Sequence, residues 1–330
     1  MKTVLVYNKF GMSERQTQAL SDRDSARETN KEGGPNVLSN SITYVYNYES
    51  GKFEKKEIET NLRLETCINE LLTNAVDQYM NFPTLVKNIS INFDMDSGEF
   101  VIGNDTGIPT YKIQIYERNK RMFVVNLEKE KPHELPADIK SSIFYNPHVI
   151  FSIPRTGDNF NKTRRRTAGV NGIGAKLANY HAKKFRVLTI DDVRKKKYDQ
   201  TFENGCLIEG APIITPCNEK GRTEITFLPD YEFLKMDVRQ HGTNIYNYLL
   251  LRTYQIASYV KCKVMFNGHH INIPSWEAFC KMFLPKDSEI ISFRAVDVNS
   301  KNNDWDICCA LSNSDTFEHI SVINGLNIIN

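Results

Sequence analysis

Two segments, far apart in the chain, limit what it can fold into. The first is Glu70-Leu71-Leu72-Thr73-Asn74-Ala75-Val76-Asp77. Around it, Leu64, Cys67, Ile68, Leu71, Leu72, Ala75, Val76 and Tyr79 recur at threes and fours. That spacing predicts an amphipathic helix from about Thr60 to Met80, ended by Pro83. On such a helix Glu70, Asn74 and Asp77 share one polar stripe. The second segment is Gly169-Val170-Asn171-Gly172-Ile173-Gly174-Ala175-Lys176. Its glycines bring backbone amides close together, a cation follows, and Ala175 to Ala182 can continue as a helix, a combination suited to wrapping phosphate.

Considered alone, each segment has a plainer reading. A Glu/Asn/Asp stripe is commonly the wet face of a helix, and a glycine run can be a bend. Together they point to a nucleotide pocket with its own general base. A carboxylate such as Glu70 can orient water and take its proton, and a neutral carboxamide such as Asn74 can ligand Mg2+ without adding negative charge beside a triphosphate. The run is neither G-x-G-x-x-G with a ribose carboxylate nor G-x-x-x-x-G-K-[ST], which argues against dinucleotide and P-loop folds.

The remaining chain reads as an ordinary soluble protein. It has 330 residues, 40% hydrophobic and 25% charged, enough for two cores. No stretch of about 18 apolar residues occurs and the start lacks a signal-like apolar run, so a cytoplasmic or nuclear protein with no membrane partner is expected. Seven scattered cysteines (67, 206, 217, 262, 280, 308 and 309) without Cys-x-x-Cys pairs fit free thiols. The formal charge is +2, with local concentrations at Arg164-Arg165-Arg166 and Lys195-Lys196-Lys197 that suit either solvated loops or phosphate contact.

Along the chain, residues 1–40 read as an arm with one short helix. Ser41–Tyr48 reads as a strand, turned at Glu49-Ser50-Gly51, with the motif helix next. Ile89–Phe93 and Glu99–Ile102 flank Met95-Asp96-Ser97-Gly98 as a hairpin, and Asn104-Asp105-Thr106-Gly107-Ile108-Pro109 leaves it as a stiff turn. Residues 110–165 read as patchily helical, ending in a lid-like loop. Strands at Phe185–Ile190, Thr201–Glu203 and Thr223–Leu228 and a helix at Asn244–Val260 follow. From Lys263 the texture changes to short strands, which sets a boundary near 262. Helices on one face of an antiparallel sheet are the expected architecture.

Glu70-x-x-x-Asn74, Asn104-x-x-Gly107-Ile108-Pro109 and Gly169-x-Asn171-Gly172-x-Gly174-Ala175-Lys176 resemble, in order, the three nucleotide-binding blocks of the GHKL ATPase superfamily. The similarity is greatest to the ATPase region of eukaryotic-type or viral type IIA DNA topoisomerases. It continues through Thr223–Asp230, Phe233–Met236, Arg252–Ala257 and Val264–Gly268, so it covers roughly residues 40–330.

The resemblance implies an α/β fold: a two-layer GHKL (Bergerat) sandwich over 41–262, preceded by the 1–40 arm and followed over 263–330 by a partial α+β transducer domain. It implies ATP and Mg2+ as cofactors, with Glu70 activating water and Asn74 ligating the metal. Asn104 would recognise adenine, with Gly107 and Ile108 shaping the base pocket and Asp77 in support. Asn159 would lie near ribose or phosphate, and Gly169, Asn171, Gly172, Ile173, Gly174, Ala175 and Lys176 would surround the phosphates, Lys176 serving catalysis as well. The implied partners are a second copy in an ATP-dependent homodimer, the arm of one copy reaching the other's pocket with Tyr7 as a candidate contact. The remainder of a topoisomerase and double-stranded DNA, bound without strong sequence specificity, are implied too. The family's Gln-Thr-Lys loop and its DNA-cleaving regions do not occur in these 330 residues, so slow turnover and no DNA cleavage are expected of this chain by itself. The alternatives are another GHKL ATPase, or an ATP-dependent dimerisation clamp that hardly hydrolyses.

Overall fold

The computed structural model describes residues 3–5, 16–18, 22–119, 121–154, 156, 174–296, 304–311, 317–323 and 326–328. Its organising element is the motif helix, Leu62–Asn81. Asn61 caps it, Oδ1 accepting from the N–H groups of Arg63 at 2.9 Å and Leu64 at 3.3 Å, while Nδ2 donates to Leu234 O at 2.8 Å. Leu64, Cys67, Ile68, Leu71, Leu72, Ala75 and Val76 are buried in the main core. Each fully buried Leu or Ile contributes about 1.5–3 kcal/mol, against a few tenths of a kcal/mol that separate most helix propensities. Packing therefore fixes which face turns inward, and with it the stripe that carries Glu70 and Asn74.

The helix lies on a nine-stranded sheet. Its strands run, edge to edge, Ile208–Glu209, Lys196–Glu203, Ala182–Asp191, Arg222–Pro229, Phe100–Asn104, Asn88–Phe93, Lys263–Phe266 and His269–Ile271, with Ile213–Pro216 also paired to Lys196–Glu203. Asn88–Phe93 alternates half-buried and buried along its length, which is the signature of a sheet covered on one face. The Asn88–Phe93 and Phe100–Asn104 hairpin turns at Gly98, whose φ of 74° suits glycine. The helices Gly174–Tyr180 and Val238–Tyr259 complete the helical layer. Arg252, 1% exposed, ties the latter to the motif helix by donating from Nε to Asn69 Oδ1 at 2.9 Å.

Several elements differ from the sequence reading. The motif helix begins at Leu62 because Lys52–Asn61 is a strand, paired antiparallel with Leu38–Asn47. That hairpin is held by Tyr46 and Phe53 against Tyr254, with centroids 5.2 and 5.3 Å apart. Among its described residues the middle segment is mainly sheet: Lys112–Arg118 pairs with both Arg121–Asn126 and Ser141–Tyr145, and the one helix there is Asn146–Ser152. The arm is more structured than expected. Helix Asp22–Glu28 packs on the core through Ala26, and buried Arg63 donates to the carbonyls of Thr29 at 2.8 Å and of Gly34.

Lys263–Phe266 pairs in parallel with Asn88–Phe93. The first sheet therefore runs past residue 262, to Ile271. The reason is a nonlocal register: Val264 and Phe266 bury their side chains in the same core as Ile89 and Ile91. After it come helix Trp276–Cys280, a hairpin of Ile290–Val296 with Asp304–Ala310, and the short pair Ser321–Ile323 with Leu326–Ile328. Among the described residues no helix is long and apolar enough to cross a membrane.

Candidate functional site

Glu70 projects from the motif helix toward Gly174, the first residue of helix Gly174–Tyr180. A Cβ built on Gly174 would overlap the Glu70 carboxylate. The two sequence segments thus meet, and the glycine is what lets the carboxylate lie against the backbone there. The two helices are further joined by the Cys67 thiol, which donates to Leu177 O at 3.9 Å. Burial pushes the Glu70 carboxyl above its ordinary value, and the Asp77 charge pushes it the same way. A carboxylate made more basic beside open backbone has the character of a proton acceptor.

Asn74 is exposed on the same stripe, and its carboxamide makes no hydrogen bond to another described residue. Asp77 is 8% exposed, so it acts on its surroundings as a buried charge rather than an open ligand. No group of three or more His, Cys, Asp or Glu that could hold a metal occurs among the described residues.

A second polar cluster lies where the strand Phe100–Asn104 leaves the sheet. Asn104 Oδ1 accepts from the Thr106 N–H at 3.1 Å and from the Thr106 hydroxyl at 2.6 Å. Gln78, one residue after Asp77, donates from Nε2 to Thr106 Oγ1 at 3.1 Å, which links the motif helix to this turn. Thr223 sits opposite Asn104 in the sheet and donates to Thr106 O at 2.8 Å, while Thr189 Oγ1 meets Thr223 Oγ1 at 2.9 Å and accepts from the Ile108 N–H at 2.8 Å. Ile108 is partly buried against the core. The sequence reading gave no role to Gln78, placed Thr106 and Thr189 only within a turn and a strand, and saw Thr223 only as part of a similar segment. The signal for them is register: Thr223 pairs with both Asn104 and Thr189.

Gly107 is a steric requirement rather than a torsional one. A Cβ there would run into the main-chain carbonyl of Ile190, whose strand is paired on both sides. Gly107→Ala should therefore destabilise the fold by about 1–3 kcal/mol or more, read as a lowered urea midpoint. An unchanged midpoint would show that this turn relaxes freely.

Of the glycine-run residues, only Gly174, Ala175 and Lys176 are among the described ones; Ala175 and Lys176 are buried. Lys176 is 3% exposed and donates from Nζ to Thr156 O at 2.7 Å. Its ammonium is thus held by a main-chain carbonyl rather than presented on the surface, because the helix that carries it is buried on nearly every side. Tyr7, Asn159, Gly169, Asn171, Gly172 and Ile173 lie outside the described residues. An open cleft beside Met95, Asp96, Val238, Arg239 and Thr243 lies at the turn end of the Asn88–Phe93 and Phe100–Asn104 hairpin, away from Asn104.

No protein-family model matches the chain. DNA topoisomerase 2 of Candida albicans is 26% identical over 317 residues, which cover 88% of this chain and 20% of that protein. DNA topoisomerase 2 of Invertebrate iridescent virus 6 is 26% identical over 300 residues, 89% of this chain and 24% of that protein. The chain therefore spans about a fifth to a quarter of the length of these curated relatives. Among solved structures, the ATPase and transducer domains of DNA topoisomerase II from Balamuthia mandrillaris superpose with a TM-score of 0.77 at 22% identity, over 94% of this chain and 72% of that one. The sheet with its helical layer and the short strands beyond it thus have the fold of those ATPase and transducer domains. In fold, and in sequence along most of its length, the chain matches the ATPase region of eukaryotic and viral type IIA DNA topoisomerases.

Proposed function

We propose that this chain binds ATP with Mg2+ and hydrolyses it, and that nucleotide binding draws two copies together as the ATPase part of a type II DNA topoisomerase. The observation that carries this reading is the seating of the Glu70 carboxylate on Gly174, supported by the match in fold and sequence to proteins whose names carry that activity.

In this reading the triphosphate lies beside the backbone at Gly174, and water between it and Glu70 is the nucleophile. Glu70 accepts the water's proton as oxygen bonds to the terminal phosphorus, ADP leaves, and the proton stays on the carboxyl until product release. Asn74, open on the same stripe, is the protein ligand for Mg2+. The donor set fits that metal, which keeps several waters and takes phosphate oxygens, and so needs only one or two protein ligands. When bound, the ion neutralises phosphate charge. Asp77 keeps Glu70 basic from a buried position. The base lies by Asn104, Gly107 and Ile108, against the helical layer. We place the end of the nucleotide-binding unit after Ile271, with the transducer-like part beginning near Trp276.

The test is sedimentation of the chain with Mg2+ and ADP, ATP or a nonhydrolysable ATP analogue, alongside phosphate release. Dimers with ATP and the analogue but not with ADP, together with steady phosphate release, are expected. Dimers without phosphate release would make the chain a clamp rather than an enzyme, and monomers throughout would contradict the pairing. The Lys195-Lys196-Lys197 run and the similarity to DNA topoisomerases are the basis for proposing contact with duplex DNA, which should weaken as salt rises.

A further inference from the structure

Helix Trp276–Cys280 is held from two sides. Ser275 caps it, its Oγ accepting from the Ala278 N–H at 3.1 Å. On one side Phe279, fully buried, packs with Phe53 and with Leu251 of helix Val238–Tyr259. On the other lies the hairpin of Ile290–Val296 with Asp304–Ala310, where Ser292 donates from Oγ to Glu277 Oε2 at 2.7 Å.

The same register brings two cysteines together. Ser292 stands directly opposite Cys308 in the ladder, so both side chains leave the hairpin on one face. Glu277 and Cys280 are three residues apart and share a face of the helix. Where Ser292 meets Glu277, Cys308 therefore meets Cys280, and the two thiols are hydrogen-bonded to each other. Both are half-buried. Cys309, next in the strand, leaves from the opposite face. The nucleotide reading makes no use of this pair.

We propose that Cys280 and Cys308 form a reversible disulfide under hydrogen peroxide, a redox clasp that fastens the hairpin to helix Trp276–Cys280 and, through Phe279, to helix Val238–Tyr259. The Cys308 thiolate attacks a peroxide oxygen and the O–O bond breaks, giving a sulfenic acid and a hydroxide that takes up the proton the thiol lost. The Cys280 sulfur then attacks the Cys308 sulfur, the S–O bond breaks, and a second water leaves with the Cys280 proton. Two thiols lose two electrons to one peroxide, and the products are one disulfide and two waters. Burial pushes both thiols above their ordinary value; the Cys308 charge and the bond between them push Cys280 further, while the same bond relieves Cys308. Cys308 is therefore the attacking sulfur and Cys280 the resolving one. Because the thiolate is the reactive form, the clasp should close faster as pH rises.

The test is to treat the folded, full chain with hydrogen peroxide, block the remaining thiols with iodoacetamide, and map the digested peptides by mass without reductant, alongside thermal melts. The peptides that hold Cys280 and Cys308 should be joined, with the loss of two hydrogens, and dithiothreitol should part them. Cys280→Ser and Cys308→Ser should each abolish the joined species, and Cys309→Ser should leave it unchanged. Closing the loop from residue 280 to 308 restricts the unfolded chain, so the oxidised protein should melt about 5–10 °C above the reduced one. That difference should vanish in Cys280→Ser.

The peptide map of the unmodified chain decides the matter even where a variant fails to fold. Cys280 and Cys308 both alkylated after peroxide, or Cys308 joined to a different cysteine, overturns the pairing. A joined chain that melts with the reduced one overturns the clasp. Each of these results leaves the nucleotide reading untouched, since neither thiol belongs to that site.

Discussion

Replacing Glu70 by glutamine should lower ATP turnover by about 10²–10⁴-fold, the range a positioned general base contributes, while the nucleotide Kd changes by no more than about threefold. Glutamine preserves the shape that fits against Gly174 and removes the basicity that burial and Asp77 confer. Phosphate release under saturating ATP and analogue titration separate the two quantities. Turnover equal to that of the unmodified chain would remove Glu70 from its role. The pH profile follows from the same group. Its carboxyl is raised above the ordinary 4.5, so activity should fall as pH drops through that raised value, above the range of a free glutamate. For stability the sign is the reverse. The folded state holds this proton more tightly than the unfolded chain, so the Glu70 contribution is favourable below the ordinary value and is lost as pH rises through the raised one. Glu70→Gln should accordingly be at least as stable as the unmodified chain at neutral pH.

Adding a methyl group at Gly174 should separate catalysis from folding. In Gly174→Ala the new Cβ takes space that the Glu70 carboxylate now occupies, and the atoms it meets are the far end of a flexible side chain. Glu70 can rotate away at a cost of about 0.5–1.5 kcal/mol, which the better helix propensity of alanine, about 1 kcal/mol, offsets. The melting temperature should barely change. Turnover should fall by about 10²-fold, because a base displaced by an ångström no longer lines up with its water. The two changes should not add: in a Glu70→Gln background, Gly174→Ala has no base to displace and should cost little more. Full additivity, or a collapse of stability in the single variant, would contradict the contact on which the proposed site rests.

Much of this fold is legible in the sequence, for identifiable reasons. The motif helix is 3.6-periodic and capped by local signals, so its polar stripe could be drawn to within two residues. The hairpin around Gly98 is local as well. The strand Lys52–Asn61 was missed because six of its residues are charged and only Phe53, Ile58, Thr60 and Asn61 are buried; it exists by pairing with Leu38–Asn47 and by aromatic packing from a distant helix. The sheet over 112–145 was hidden by mixed composition and a tight turn at Asn119, with φ 53°. The pairing of Lys263–Phe266 was hidden for a related reason: the change of texture at Lys263 is real, but a parallel register with Asn88–Phe93 is invisible to local pattern.

The site divides in the same way. That Glu70 and the glycine run belong together was legible from their chemistry, and their meeting at Gly174 agrees. That Lys176 would be buried and bonded to Thr156 was not, because burial of a short helix depends on what packs around it. Nor were the bonds around the Asn104 side chain, which come from Thr106 two residues on and, through it, involve Gln78 on another element.

In the proposed function Glu70, Asn74 and Gly174 frame one nucleotide site. A crystal structure of the chain with Mg2+ and a nonhydrolysable ATP analogue tests it most directly. The triphosphate is expected beside Gly174, with the terminal phosphate facing Glu70 across a water and the metal bound by Asn74. A nucleotide seated elsewhere, or a metal with no contact to Asn74, would contradict it.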